Sequence, residues 1–340
     1  MAAARWPPPA DAARSRSTRH PSDQSAPHPR FYQPPGRPVA GAHLDPNLKQ
    51  LLDRRLYLPE RSWLADPGRC HAAGVPAQTT FATKPALAAE MVADALDAGL
   101  AARWVSGDEV YGQDPRLRAM LERRRIGYVL AIAGNLRVGL EGIDRDVADI
   151  ATGVADRHWH RYRAGQGAKG PRWYAWAWAR IDDPGPEADD EGEGHGYRWL
   201  LIRRNLTTGE LAFYGCYAPK PMPLAALVKI ADIRWAVEEV FQAAKGQAGL
   251  DHYQVRRWRA WYRHVTLAML ALAFLAALAA DQPPCDERHI PLTMPEIRRL
   301  LAALVLSPRR STAEVLRWSS WRRRHQATAR HCHYQRRSQP

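Results

Sequence analysis

Phosphate and metal chemistry are within reach of two short segments of this sequence. In Arg234-x3-Glu238-x6-Lys245, spacings of four and seven set the three side chains on one face of a helix expected over Ile233 to Ala248. A carboxylate so flanked can hold a metal ion while the two cations hold phosphates. The same spacing also suits a surface ion pair between Arg234 and Glu238. In Gly107-Asp108-Glu109-Val110-Tyr111-Gly112, an acid directly follows an apolar run that reads as a strand. A carboxylate at a strand end, between glycines that let backbone and ligand approach, is a usual seat for a metal-binding acid, and a turn Asp is its alternative. A third segment, Gln254 to His264, interleaves Arg256, Arg257 and Arg259 with Trp258, Trp261 and Tyr262. There cations can meet phosphates while rings stack, or the tryptophans anchor a core beneath a basic face. Trp173, Trp176 and Trp178 pose the same choice between stacking on an unpaired base and core packing.

These residues need a scaffold, and the pattern around them supplies one. Leu56-Tyr57-Leu58 reads as a short strand, and Lys84 to Leu100 as a helix from the spacing of Leu87, Met91, Val92, Ala95 and Leu96. Arg103 to Ser106 is the strand that feeds Asp108. Asp114 caps, and Pro115 opens, a helix through Arg125, and Ile126 to Ala133 follows as a buried strand. This order predicts an α/β fold with a parallel or mixed sheet. Residues 1–45 form a Pro- and Arg-rich tail expected to be disordered, and 46–150 hold the first part of the core. Residues 151–222 form a β-rich insertion with an acidic loop from Asp182 to Glu193 and a hairpin around Thr208-Gly209. Residues 223–281 are helices, beginning with one from about Leu224 to Ala248. Residues 282–340 comprise a linker, a helix over Met294 to Leu306, and a basic tail from Ser307 in which nine arginines face one acid, Glu314.

The formal charge of +14, mostly from arginine, makes nucleic acid the first partner to expect. The longest apolar run, Val265 to Ala280, falls short of the ~20 residues of a bilayer crossing and reads as a buried helix, with no membrane partner. No signal-peptide pattern opens the chain, so a cytoplasmic, nucleoid-associated protein is expected. Cys70, Cys216, Cys285 and Cys332 form no Cys-x-x-Cys knuckle and are expected as thiols, and His331-Cys332-His333 reads as solvated basic tail.

Several blocks together identify a family. They are Leu56-Tyr57-Leu58-Pro59-Glu60, Phe81-Ala82-Thr83-Lys84-Pro85, the Gly107 to Gly112 block, Tyr128-Val129-Leu130-Ala131, Gly165 to Gly170 with Trp176-Ala177-Trp178, the Arg-Glu-Lys helix, and Trp318 to Gln326. From about Leu51 onward the chain resembles the actinobacterial DDE-type transposases of insertion sequences. The resemblance implies a ribonuclease-H-like core with a β-rich insertion and a helical, basic C-terminal segment. It implies metal-dependent cleavage and transfer at insertion-sequence ends using Mg²⁺ or Mn²⁺, with duplex DNA as partner, and it leaves room for a homo-oligomer. Asp108 corresponds to the second catalytic acid and Glu238 to the third, so the two are expected to converge. Arg234 and Lys245 match the phosphate-contacting cations of the signature Tyr-x2-Arg-x3-Glu-x6-Lys, whose tyrosine position is Ala231 here. The family's first Asp lies on the first core strand, in a setting with no match upstream of Leu51, where only Asp11, Asp23 and Asp45 occur. The expectation is therefore a truncated core with an exposed sheet edge and a defective enzyme. The alternative is a non-catalytic DNA-binding remnant.

Overall fold

Capping residues and prolines set where the helices of this chain begin. The protein is described by a computed structural model that covers residues 2–5, 30–32, 51–167, 170–181, 196–282, 289–306 and 311–338. Two strands, β1 (Ala2–Arg5) and β2 (Arg30–Tyr32), precede β3 (Arg54–Tyr57) and α1 (Pro67–Ala73). Helix α2 (Lys84–Asp97) starts where the Thr83 hydroxyl accepts the Ala86 N–H and Pro85 sits in the first turn. Then follow β4 (Trp104–Gly107), the one-turn α3 (Glu109–Gly112) and α4 (Pro115–Arg123), which Asp114 caps by accepting the Leu117 N–H at 2.8 Å. Next come β5 (Gly127–Ile132), the small hairpin β6 (Arg137–Leu140) and β7 (Ile143–Asp146), and α5 (Val147–Thr152). Four long strands come next: β8 (His160–Gly167), β9 (Gly170–Arg180), β10 (Tyr197–Asn205) and β11 (Leu211–Ala218). The remaining elements are helical: α6 (Leu224–Ile233), α7 (Trp235–Ala248), α8 (Trp258–Ala280), α9 (Met294–Leu301) and α10 (Thr312–Ser338).

The chain divides into two units. The first comprises Met1–Arg37, Leu52–Glu239 and Arg256–Trp258, and the second Pro38–Leu51, Val240–Val255 and Arg259–Pro340. The first unit is built on a seven-stranded mixed sheet of order β2-β4-β5-β11-β10-β9-β8, in which β4 and β5 run parallel and the other pairs antiparallel. Side-chain alternation sends Val129, Trp176, Trp199, Leu201, Tyr214 and Cys216 to one face, beneath Leu227, Val228 and Ala231 of α6. On the other face Val105, Tyr128 and Leu130 meet Met91 and Val92 of α2 and Leu117 and Leu121 of α4. Ile132, Leu200 and Ile202 meet Val147 and Ile150 of α5 there. The expected mixed α/β architecture is therefore present. The segment expected as a separate β-rich insertion is β-rich, and its four strands extend the same sheet.

Two expectations need correction. Within residues 1–45, Ala2–Arg5 and Arg30–Tyr32 are strands. β2 pairs antiparallel with β4, and β1 parallel with β3, so backbone hydrogen bonds occupy edges that were expected to stand open. The single helix expected over Leu224 to Ala248 is two, meeting at Arg234, whose backbone stays right-handed helical at φ −51° and ψ −35°. The expected helical character of the basic C-terminal segment is present over Thr312–Ser338, where no proline interrupts and Ser311 and Glu314 form a reciprocal cap at 3.3 Å. The acidic run Asp182 to Glu193 and the Pro283-Pro284 linker lie outside the described residues.

In the second unit Glu296 is buried at 4 % exposure and receives Arg322 at 3.0 and 2.5 Å and Arg299 at 3.3 Å. Burial alone would push that carboxyl up, but the hydrogen bonds from Arg322 and Ser319 win and hold it below the usual carboxylate range. Helix α8 buries one stripe, Trp261, Val265, Ala268, Met269, Leu272, Leu275 and Ala276, as a core helix does. Its other face exposes Leu267, Leu270 and Phe274. The helix has 23 residues and starts at Trp258, so it is longer than the apolar run that suggested it, and by length and composition alone it could cross a membrane.

Candidate functional site

Asp108 follows β4, whose four residues are all buried, and is itself half-buried at the carboxyl end of that strand. Its carboxylate caps α3 by accepting the Val110 N–H at 3.1 Å, a role the sequence had suggested only as a turn. The glycines around it serve backbone contact. A Cβ on Gly112 would fall 1.9 Å from the Ala131 carbonyl oxygen of β5, and one on Gly107 would meet Leu130 at 3.0 Å. α3 is thus pressed onto β5, and the Asp108 backbone is fixed from both sides. Burial pushes the Asp108 carboxyl above its usual value, while the Val110 N–H and the charges of Arg234 and Lys84 pull the other way. Burial, and then the Asp108 charge, pushes the Tyr111 hydroxyl upward as well.

Arg234 is therefore close enough to act on Asp108, and Lys84 joins it. Sequence reading missed Lys84, although it sits in one of the recognised blocks, because it was read only as the start of a helix. Its ammonium lies 5.7 Å from the Tyr57 ring. Glu238, one turn beyond Arg234, is solvent-exposed on α7, and Lys245 is exposed seven residues further along the same helix. Among the described residues no group of three or more His, Cys, Asp or Glu is arranged to hold a metal ion. Asp53, the first acid after Leu51, is engaged by Arg55 at 3.0 Å and Arg54 at 3.5 Å, and Asp11, Asp23 and Asp45 lie outside the described residues.

The basic segments are also placed. Arg256, Arg257 and Arg259 are exposed at and before the start of α8, where the backbone becomes helical only from Trp258. Trp261 beside them is fully buried, so it is a core anchor. Trp176 is buried too, at 1 % exposure, whereas Trp173 and Trp178 are partly exposed. On α10, Arg317, Arg324 and Arg330 face solvent beside exposed Trp318 and Trp321, and the Trp321 ring stacks on His325 at 5.3 Å. Arg322 and Arg323 are held internally, the first by Glu296 and the second by the Ile290 carbonyl at 2.7 Å.

A mixed α/β sheet with an acid at the end of a strand one in from the sheet edge, within reach of a cation's charge, defines a class of phosphate-handling folds only loosely. Comparison narrows it: the family described as DDE superfamily endonuclease matches residues 12–172. That span is a little under half of the chain. It contains Asp108 and Lys84, stops short of Arg234 and Glu238, and begins well before Leu51, so it includes residues that the recognisable blocks had left out. No curated protein matches the chain.

Proposed function

We propose that this chain is a DDE-type transposase with a ribonuclease-H-like core that binds the duplex DNA of insertion-sequence ends and is deficient in cleavage. Asp108 is the second family acid in this reading and Glu238 the third. Arg234, Lys245, Arg256, Arg257 and Arg259 are the phosphate contacts. The observation that carries it is the position of Asp108: at the carboxyl end of β4, inside the matched span and within reach of the Arg234 charge.

The intact family uses Mg²⁺ or Mn²⁺ held by three carboxylates. The described residues do not fit such a centre. They offer no group of three carboxylate, imidazole or thiol donors, and the charges acting on Asp108 include two cations, which compete with a metal for its carboxylate. What this arrangement can do is hold a phosphate near a fixed acid, with Arg234 and Lys84 neutralising it. The exposed arginines of the 254–264 segment and α10 add a phosphate-matching surface.

A strand-nicking assay on duplexes carrying the cognate ends, with Mg²⁺ or Mn²⁺, tests this reading beside a salt titration of binding. Salt-dependent binding with nicking far below that of an intact relative is expected. Robust nicking that both Asp108→Ala and Glu238→Ala abolish would show that another acid, Asp45 or Asp53 among them, completes the site.

A further inference from the structure

A small cleft opens where α6 ends on the sheet, and its lining departs from that of an ordinary core. β9 contributes Arg172, Tyr174 and Trp176, β10 contributes Arg203 and β11 Tyr214, and the helix end closes it with Asp232 and Arg234. Its volume is about 140 Å³. That is well below the roughly 300 Å³ at which pockets for whole small molecules begin, and it matches one compact polar group with a few waters.

Charge selects the group. Three guanidinium groups line the cleft against one carboxylate, and that carboxylate is already paired, with Arg172 at 2.9 Å. Arg172 is further fixed by donating to the Ala164 carbonyl at 3.1 Å. The Arg203 guanidinium lies over the Tyr174 ring at 4.7 Å, which orients it without satisfying its in-plane donors. Hydrogen bonding gives the second, independent indication. The indole N–H of Trp176, a residue 1 % exposed, and the Nε–H of Arg203 are both shielded from water and have no hydrogen-bond partner among the described residues. Both groups are donors only, and a buried donor left unpaired costs free energy that an acceptor-rich ligand would recover. Trp176 and Arg203 face each other in register across β9 and β10, so the two donors belong to one site.

We propose that this cleft binds a single phosphate group of a nucleic-acid backbone. A phosphate brings negative charge and several acceptor oxygens in the size available, which answers the excess positive charge and the unpaired donors of Trp176 and Arg203 together. Arg234 lines this cleft and its charge also acts on Asp108, so a bound phosphate shares a cation with the strand-end acid. The choice of DNA as the source rests on the functional reading above, whereas the phosphate chemistry of the cleft does not.

The test uses the full chain and two probes, a labelled duplex and inorganic phosphate. Arg203→Met is expected to weaken duplex binding roughly ten-fold and to lower the slope of log affinity against log salt by about one. Arg203→Lys should restore the slope and only part of the affinity. Trp176→Phe, which keeps a ring and removes the donor, should weaken binding roughly three- to ten-fold with the slope unchanged. Inorganic phosphate, at ionic strength matched with chloride, should raise the melting temperature of the native chain and not that of Arg203→Met. If phosphate gives no such difference, the cleft is not a phosphate site and the proposal fails, even if Trp176→Phe does not fold. If phosphate stabilises through Arg203 but duplex affinity and slope ignore the substitution, the cleft takes free phosphate and the backbone assignment is overturned. A native chain with no affinity for DNA overturns the functional reading itself, and the phosphate measurement still decides the chemistry of the cleft.

Discussion

Replacing Gly112 by alanine adds one methyl group at the point where α3 is pressed onto β5. The new Cβ would lie 1.9 Å from the Ala131 carbonyl oxygen, against roughly 3.3 Å for a comfortable carbon–oxygen contact. The obstacle is backbone, so no rotamer change relieves it, and α3 must retreat by more than an ångström. Overpacking of this kind costs about 1–3 kcal/mol, which outweighs the gain of up to about 1 kcal/mol from replacing a helical glycine. The first unit should therefore melt lower, by up to roughly 12 °C where the helical gain is small. Because Asp108 caps this same helix, its carboxylate should shift as well. Gly246 is the control, since it lies within α7 with nothing within 4 Å of an added Cβ. The same change there should stabilise by about 0.5–1 kcal/mol. Denaturant midpoints of the two variants against the native chain decide the matter. A Gly112→Ala variant as stable as Gly246→Ala would refute the account of why α3 sits where it does.

Glu122, on α4, accepts from Arg198 at 3.1 and 2.6 Å and from the Tyr128 hydroxyl at 2.7 Å, with both charged side chains almost fully buried. Glu122→Ala should therefore destabilise by about 3–5 kcal/mol by stranding Arg198, and pairing it with Arg198→Met should recover part of that loss in a chemical-denaturation cycle. Burial raises the Asp108 carboxyl above its unfolded value, so its ionisation opposes folding; the contribution is present at acid pH and lost as pH rises through the folded value. Asp108→Asn, which can still cap α3, should accordingly be more stable than the native chain at neutral pH, with the gap closing below about pH 4. An equal gap at both pH values would contradict that. Deleting residues from Ser307 onward should flatten the salt dependence of DNA binding by fewer charges than the nine arginines there suggest, because Arg322 and Arg323 are spent on Glu296 and Ile290. Unchanged affinity and slope would mark the segment as ordinary solvated surface.

Local chemistry was the legible part of the sequence. The start of α4 was readable because Asp114 and Pro115 act within four residues, α2 because its apolar residues recur at helical spacing, and the β10–β11 hairpin because Thr208-Gly209 closes it over a short loop. What depends on distant partners was not readable. Nothing near Trp176 reveals that its ring goes to the core while Trp173 stays exposed; the alternation of β9 decides it only once the buried face is known. Asp232 attracted no attention, since its partner Arg172 is sixty residues away. The break at Arg234 was equally hidden, because the residues around it favour continued helix. For the site, the sequence singled out Asp108, Arg234, whose charge acts on it, and Trp176, and not Lys84 or Arg203.

The seam between β5 and β11 has a consequence for how the chain is made. Phe213 pairs with Ile132, so the strand that leads away from Asp108 finds its inner neighbour only after some eighty further residues have been synthesised. At about 5–20 residues per second that is a wait of roughly 4–16 s, during which β5 has one unpaired side. β8 to β11 have no such delay, since each pairs with the strand next to it in sequence. The nascent chain thus emerges with its acid-bearing half first and its self-sufficient half second, and the half that arrives later is the one able to template the earlier.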